Sequence, residues 1–170
     1  MKVYLIGFMA SGKTTIGHEL AKTLNFEFID LDVYIEHKYN KTIKQIFEFK
    51  GEDHFRILES EALREVASLN GDILVASGGG TSCFYNSVDF MNKTGITVYL
   101  KVEVGELVAR LIESKTDRPL LWGKSIPELN DYILRVLDER KKYYEKAKII
   151  VETLNADVPQ LAQTIKAALS

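Results

Sequence analysis

The sequence predicts an α/β chain built on a parallel sheet with helices on both faces. Three observations carry that prediction. Five short apolar or β-branched runs alternate with stretches of helical periodicity. The first run, Val3 to Ile6, passes straight into Gly7-Phe8-Met9-Ala10-Ser11-Gly12-Lys13-Thr14, and an apolar helical stripe of Ile16, Leu20 and Leu24 follows. No repeat, low-complexity tract or linker divides the 170 residues, so one domain spanning 1–170 is expected.

The glycine-rich stretch has the most specific chemistry in the chain. Small residues between a strand and a helix turn successive backbone N–H groups inward, and the helix N-terminus adds partial positive charge. Lys13 supplies a point charge for β- and γ-phosphates, and Thr14 offers a hydroxyl to Mg²⁺. The stretch is therefore expected to bind a nucleoside triphosphate.

The first helix should run from about Lys13 to Leu24 and break at Asn25. Phe26 to Ile29 reads as a strand that ends on Asp30-Leu31-Asp32. Two readings of these carboxylates stand side by side. Asp30 handles a metal and Asp32 contacts a substrate or accepts its proton, or Asp32 merely caps a helix over Val33 to Tyr39. A helix over Thr42 to Lys50 follows, with Thr42 as its cap and Gly51 as its stop.

The next helix buries a stripe of Phe55, Leu58, Ala62, Leu63 and Val66, and Glu59 falls on that stripe. A buried carboxylate needs a partner, and Arg56 lies within reach on the same helix surface. The pair is either a structural ion pair or a ligand site in which Arg56 faces a carboxylate. Asp72 to Ala76 reads as a buried strand that ends in Ser77-Gly78-Gly79-Gly80, backbone that a ligand can approach closely at a strand's carboxyl end.

A short helix over 85–93, a strand over Ile96 to Val102 and a helix over Glu106 to Ser114 come next. Lys115 to Lys124 is aperiodic and holds Arg118; loops of this kind often close over active sites. Pro127 opens the longest helix, and Arg140 falls on its apolar stripe, either paired internally or aimed into a cleft. Lys148 to Glu152 is the fifth strand, and a loop from Thr153 and a last amphipathic helix close the chain.

Bulk composition narrows the function classes. The net charge of −2 recommends neither a nucleic-acid nor a membrane partner. Cys83 is the single cysteine, so no disulfide framework is available, and it is expected to be a small packing residue. His18, His37 and His54 show no metal-ligand spacing with each other or with Cys83. The start of the chain does not read as a signal peptide, and no run approaches the ~18 apolar residues of a membrane span. A cytoplasmic location is expected.

Taken in order, the glycine loop, Asp30-Leu31-Asp32, Phe55-Arg56 with Glu59, Gly78-Gly79-Gly80, Arg118-Pro119-Leu120-Leu121, and Arg140 before paired tyrosines resemble the shikimate kinases. These belong to the nucleoside-monophosphate-kinase-like branch of P-loop proteins. The resemblance covers essentially the whole chain. It implies a three-layer P-loop kinase fold with strand order 2-3-1-4-5, an acceptor region over about 31–62 and a lid over about 113–125. It also implies transfer of the ATP γ-phosphate to the 3-hydroxyl of shikimate by a monomer using Mg²⁺.

Residue by residue, the resemblance implies that Gly7, Ala10, Ser11, Gly12, Lys13, Thr14 and Thr15 wrap the phosphates. Thr14 would meet the metal directly and Asp30 through water. Asp32 would bind the acceptor hydroxyls and orient or deprotonate the attacking one. Arg56 and Arg140 would clamp the carboxylate, with Gly79 and Gly80 offering backbone, Glu59 steadying the arginine, and Phe47 and Phe55 walling the ring. Arg118 would contact phosphate from the lid, and Arg110 and Thr153 would flank adenine.

One departure from the family pattern stands out: Ala10 occupies a usual glycine position. As in this family, the strand before the glycines ends in Ser77 rather than an aspartate, which leaves metal handling to Asp30. Kinases of another polyol acid such as gluconate, and a non-catalytic nucleotide switch, are the alternative readings.

Overall fold

Side-chain alternation along the first strand decides how the sheet is covered. The computed structural model describes residues 1–114, 123–153 and 157–169. In β1 (Lys2–Ile6), Val3 and Leu5 join one core cluster and Tyr4 and Ile6 the other. All four are fully buried, as period-2 alternation in a two-sided sheet requires. The other strands are β2 (Glu27–Asp30), β3 (Ile73–Ala76), β4 (Ile96–Lys101) and β5 (Ile149–Glu152). Every pairing is parallel and the order is β2-β3-β1-β4-β5.

The helices sort by which cluster they complete. α1 (Lys13–Leu24) and α7 (Val158–Leu169) cover the Val3/Leu5 face through Leu20, Ala21, Leu161 and Ile165. α2 (Leu31–Tyr39), α3 (Ile43–Ser68), α4 (Ser87–Thr94) and α6 (Ile126–Tyr144) contribute Ile35, Leu63, Met91 and Tyr144 to the Tyr4/Ile6 face. α5 (Val104–Glu113) and α6 close a third cluster over Phe8 and Met9, through Leu107 and Ile133.

Connections leave β1 and β3 toward opposite faces, so a crevice opens between their carboxyl ends, as expected at such a switch in strand order. Both glycine stretches, 7–12 and 78–80, lie at that crevice.

One local reading needs correction. The helix after β2 begins at Leu31, and its cap is Asp30: Oδ1 accepts from the N–H groups of Asp32 at 3.0 Å and Val33 at 3.4 Å. An oxygen at Asp30 reaches the orphan donors two and three residues on, the usual capping geometry. Asp32 is thus released from the capping role. The stop expected at Gly51 is present: its backbone is non-helical (φ 78°, ψ 176°), so α3 is two helical segments that meet at a kink there. Thr42 does cap α3, in a reciprocal box with Gln45.

Candidate active site

Gly7 has φ 144°, and a Cβ there would meet the Leu100 carbonyl oxygen at 2.7 Å, so only glycine passes between β1 and β4. The loop then tightens through a left-handed Ala10 (φ 61°) to Gly12 and α1. The Lys13 ammonium lies back across this loop, 9% exposed. It donates to the carbonyls of Gly7 (2.9 Å) and Phe8 (2.7 Å) and to Ser11 Oγ (3.3 Å). Thr14 Oγ1 donates to Asp30 Oδ2 at 2.8 Å. Asp30 therefore divides its oxygens, one for the α2 cap and one for Thr14.

Two cavities meet here. One, of about 620 Å³, is lined by Ala10, Gly12, Lys13, Thr14, Thr15, Arg110 and Thr153 among others. Arg110 donates to the Ala10 carbonyl at 3.2 Å and pairs with Glu106 at 2.8 Å. Thr153 donates to the Lys101 carbonyl at 3.2 Å. The second cavity, of about 500 Å³, is lined by Phe47, Phe55, Arg56, Glu59 and Gly80. Its two phenylalanine rings lie 4.8 Å apart. Met9, Thr14, Asp30, Asp32, Gly78 and Gly79 line both. Gly7 and Ser11 line neither, and support the loop from behind.

Arg56 and Glu59 form the buried ion pair at 2.9 Å, 5% and 1% exposed. The second oxygen of Glu59 accepts from Thr81 Oγ1 at 2.6 Å. Burial alone would push the Arg56 guanidinium down in pKa. The charge of Glu59 and the hydrogen bonds to Glu59 and Glu52 outweigh it and hold the group above its usual value. Gly80 makes room for this guanidinium: a Cβ there would sit 2.6 Å from Arg56 Cζ.

Arg140, 8% exposed, donates to the Gly79 carbonyl at 3.2 Å and lies 5.8 Å from the Phe8 ring. It approaches the glycine stretch from a third, adjoining cavity and does not line the Phe47/Phe55 cavity itself. Both arginines nonetheless bear on the same three-glycine segment, Arg56 at Gly80 and Arg140 at Gly79. Arg118 lies outside the described residues.

Sequence reading missed three contributors. Glu52 donates no helix signal but lies four residues before Arg56, a spacing that pairs side chains on a helix, and it binds Nε and Nη2. Tyr144 donates to the Gly79 carbonyl at 2.5 Å and stacks on Tyr99 at 5.0 Å. Thr81 anchors Glu59. The last two contacts join distant segments, and nothing local announces them. Among the described residues no cluster of three or more His, Cys, Asp or Glu could hold a metal by itself, and no helix is long and apolar enough to cross a membrane.

Comparison with known proteins agrees with this geometry. The shikimate kinase family profile matches residues 9–170. A shikimate kinase from Parabacteroides distasonis is 49% identical over 148 residues, covering 87% of this chain and 85% of the relative. The crystal structure of shikimate kinase from Bacteroides thetaiotaomicron superposes with a TM-score of 0.89 at 39% identity, covering 99% of this chain and 98% of that one. Shikimate kinase from Acinetobacter baumannii in complex with shikimate gives 0.86 at 36%, covering 99% and 92%. A gluconokinase from Sinorhizobium meliloti, at 16% identity and a TM-score of 0.61, shares the fold alone. On the extent of these matches, the chain belongs to the shikimate kinase family.

Proposed function

We propose that this protein transfers the γ-phosphate of ATP to the 3-hydroxyl of shikimate, giving shikimate 3-phosphate and ADP. The observation that carries the reading is the shared wall between the two cavities, where Thr14, Asp30 and Asp32 face both. A phosphoryl group and an acceptor hydroxyl brought to either side of that wall are neighbours, and positioning supplies most of the rate in such transfers.

The nucleotide takes the cavity of Lys13, Thr15, Arg110 and Thr153. Lys13 exchanges its loop carbonyls for phosphate oxygens, and Arg118 adds charge from the 113–125 lid. The acceptor, in the 31–62 region, stacks its ring against Phe47 and Phe55 and sets its carboxylate on Arg56, with Arg140 supporting through Gly79. Asp32 orients the attacking hydroxyl and takes up its proton.

Mg²⁺ fits the donor set: a hydroxyl and a carboxylate oxygen 2.8 Å apart are hard ligands, and this ion keeps waters and phosphate oxygens for its other positions. When bound it draws charge from the β- and γ-phosphates. Thr14 and Asp30 would hold it, Asp30 through water. We further read the chain as a single-domain, cytoplasmic monomer.

Phosphoryl transfer from ATP to shikimate by the purified chain, with and without Mg²⁺, tests the proposal. A panel including gluconate runs alongside. Acceptor-dependent ADP release with shikimate is expected. ADP release independent of acceptor, or preference for gluconate, would refute the assignment.

A further inference from the structure

The charges around Arg56 do not balance. Nη1 donates to Glu59 at 2.9 Å, while Nε and Nη2 both donate to one oxygen of Glu52, at 3.2 and 2.9 Å. One cation therefore carries two carboxylates. Arg140, by contrast, pairs with no carboxylate among the described residues.

The two glutamates are not equivalent. Glu59 is 1% exposed and locked on its other oxygen by Thr81. Glu52 has a side chain 40% exposed and stands directly after the Gly51 kink. The edge it occupies, Nε with Nη2, is the side-on fork with which an arginine grips a carboxylate through two parallel bonds. Glu52 fills that fork with a single oxygen.

We propose that Glu52 is an internal stand-in for the carboxylate of the acceptor: it holds the Arg56 fork until an anionic acceptor arrives and displaces it. The inference rests on the reading of Arg56 as the anchor of the acceptor's carboxylate. Adding that carboxylate without displacement would gather three negative groups round one guanidinium, and like charges in a partly dry cavity repel strongly. Glu59 cannot be the group that leaves, because it is buried and bound on both oxygens. Glu52 has solvent beside it. The exchange also builds in selectivity. An acidic acceptor replaces the contact that it breaks, whereas an uncharged one does not, so the site is set against neutral analogues. Until then Glu52 keeps the guanidinium paired and oriented.

Calorimetric binding of shikimate and of its methyl ester, to the wild-type chain and to Glu52→Gln, tests this. With the competitor's charge removed, shikimate is expected to bind about three- to tenfold tighter (about 0.7–1.4 kcal/mol), while the ester changes by less than about twofold. Glu52→Ala, which leaves no carboxamide on the guanidinium, should show the same pattern, and its melting curve reports whether it folds. Unchanged or weaker shikimate binding in a folded variant overturns the proposal, since Glu52 would then be building the fork rather than blocking it. The wild-type transfer assay separates the two ways of failing. Absence of transfer to shikimate removes the acceptor assignment and this inference together. Transfer without tightening removes the stand-in alone.

Discussion

Replacing Glu59 by glutamine should unlock the acceptor site and weaken the fold at once. Glu59 is 1% exposed and accepts from Arg56 at 2.9 Å and Thr81 at 2.6 Å. Glutamine keeps the shape and an oxygen for Thr81 but removes the charge. Arg56, 5% exposed, is then left with Glu52 alone, on a partly exposed side chain. Removing one partner of a buried pair costs about 3–5 kcal/mol. Glu52 retains part of that, so about 3 kcal/mol is the expected loss. For a chain of this length each kcal/mol shifts the melting temperature by about 2–4 °C, giving a drop of roughly 6–12 °C.

Calorimetry or urea unfolding reads the loss. A double variant, Arg56→Met with Glu59→Leu, should regain most of it, because a packed apolar pair needs no counter-ion. That double variant should still fail to bind shikimate. A Glu59→Gln chain melting within about 2 °C of the parent would refute the reasoning, as would a double variant no more stable than the single one.

Asp30→Asn separates cap from metal. Asparagine caps a helix as well as aspartate does, so the melting temperature should hold, while the Mg²⁺ needed for half-maximal turnover rises at least about tenfold; an unchanged Mg²⁺ titration would count against the metal role. Gly80→Ala should raise the KM for shikimate by about tenfold or more and leave the KM for ATP within about twofold. Its backbone is ordinary (φ −100°), so the effect comes from a Cβ 2.6 Å from a guanidinium that two glutamates hold in place. Ala10→Gly should leave stability level or raise it by up to about 1 kcal/mol. The left-handed φ of 61° strains alanine, and the added freedom of glycine in the unfolded chain offsets part of the gain. A loss above about 1 kcal/mol in urea unfolding would contradict this. Burial pushes the Cys83 thiol above its usual range, against the smaller opposing pull of Ser82 and the two arginines. Thiolate is the reactive form, so alkylation at pH 8 should be slower than that of a free thiol and should go on rising with pH beyond about 8.5, where a free thiol begins to level off. A rate at pH 7 equal to that of a free thiol would be inconsistent with that burial.

Much of the frame was legible because it is local. Alternation at Val3-Tyr4-Leu5-Ile6 states that both faces of the sheet are covered, and Gly7 to Thr14 states that a glycine loop joins the first strand to a helix. Gly51 marks the break in α3 and Thr42 its beginning, since backbone angles and caps depend on residues within a few positions. The same logic, in one of its two readings, placed a cap on the wrong carboxylate. Asp30 and Asp32 both precede a helical pattern, and only the observed turn shows that Asp30 satisfies the first donors.

The sequence by itself determined the strand and helix order, the phosphate-binding loop and the presence of Arg56 and Glu59 on one helical face. Tertiary structure alone decided the rest of the site. Thr14 meets Asp30 across 16 residues, Thr81 meets Glu59 across 22, and Arg140 and Tyr144 meet Gly79 across 61 and 65. Such contacts follow from how separate elements pack at the carboxyl ends of β1 and β3. Periodicity records which face of an element is apolar, and it carries no record of which polar groups those faces bring together when the sheet closes against its helices.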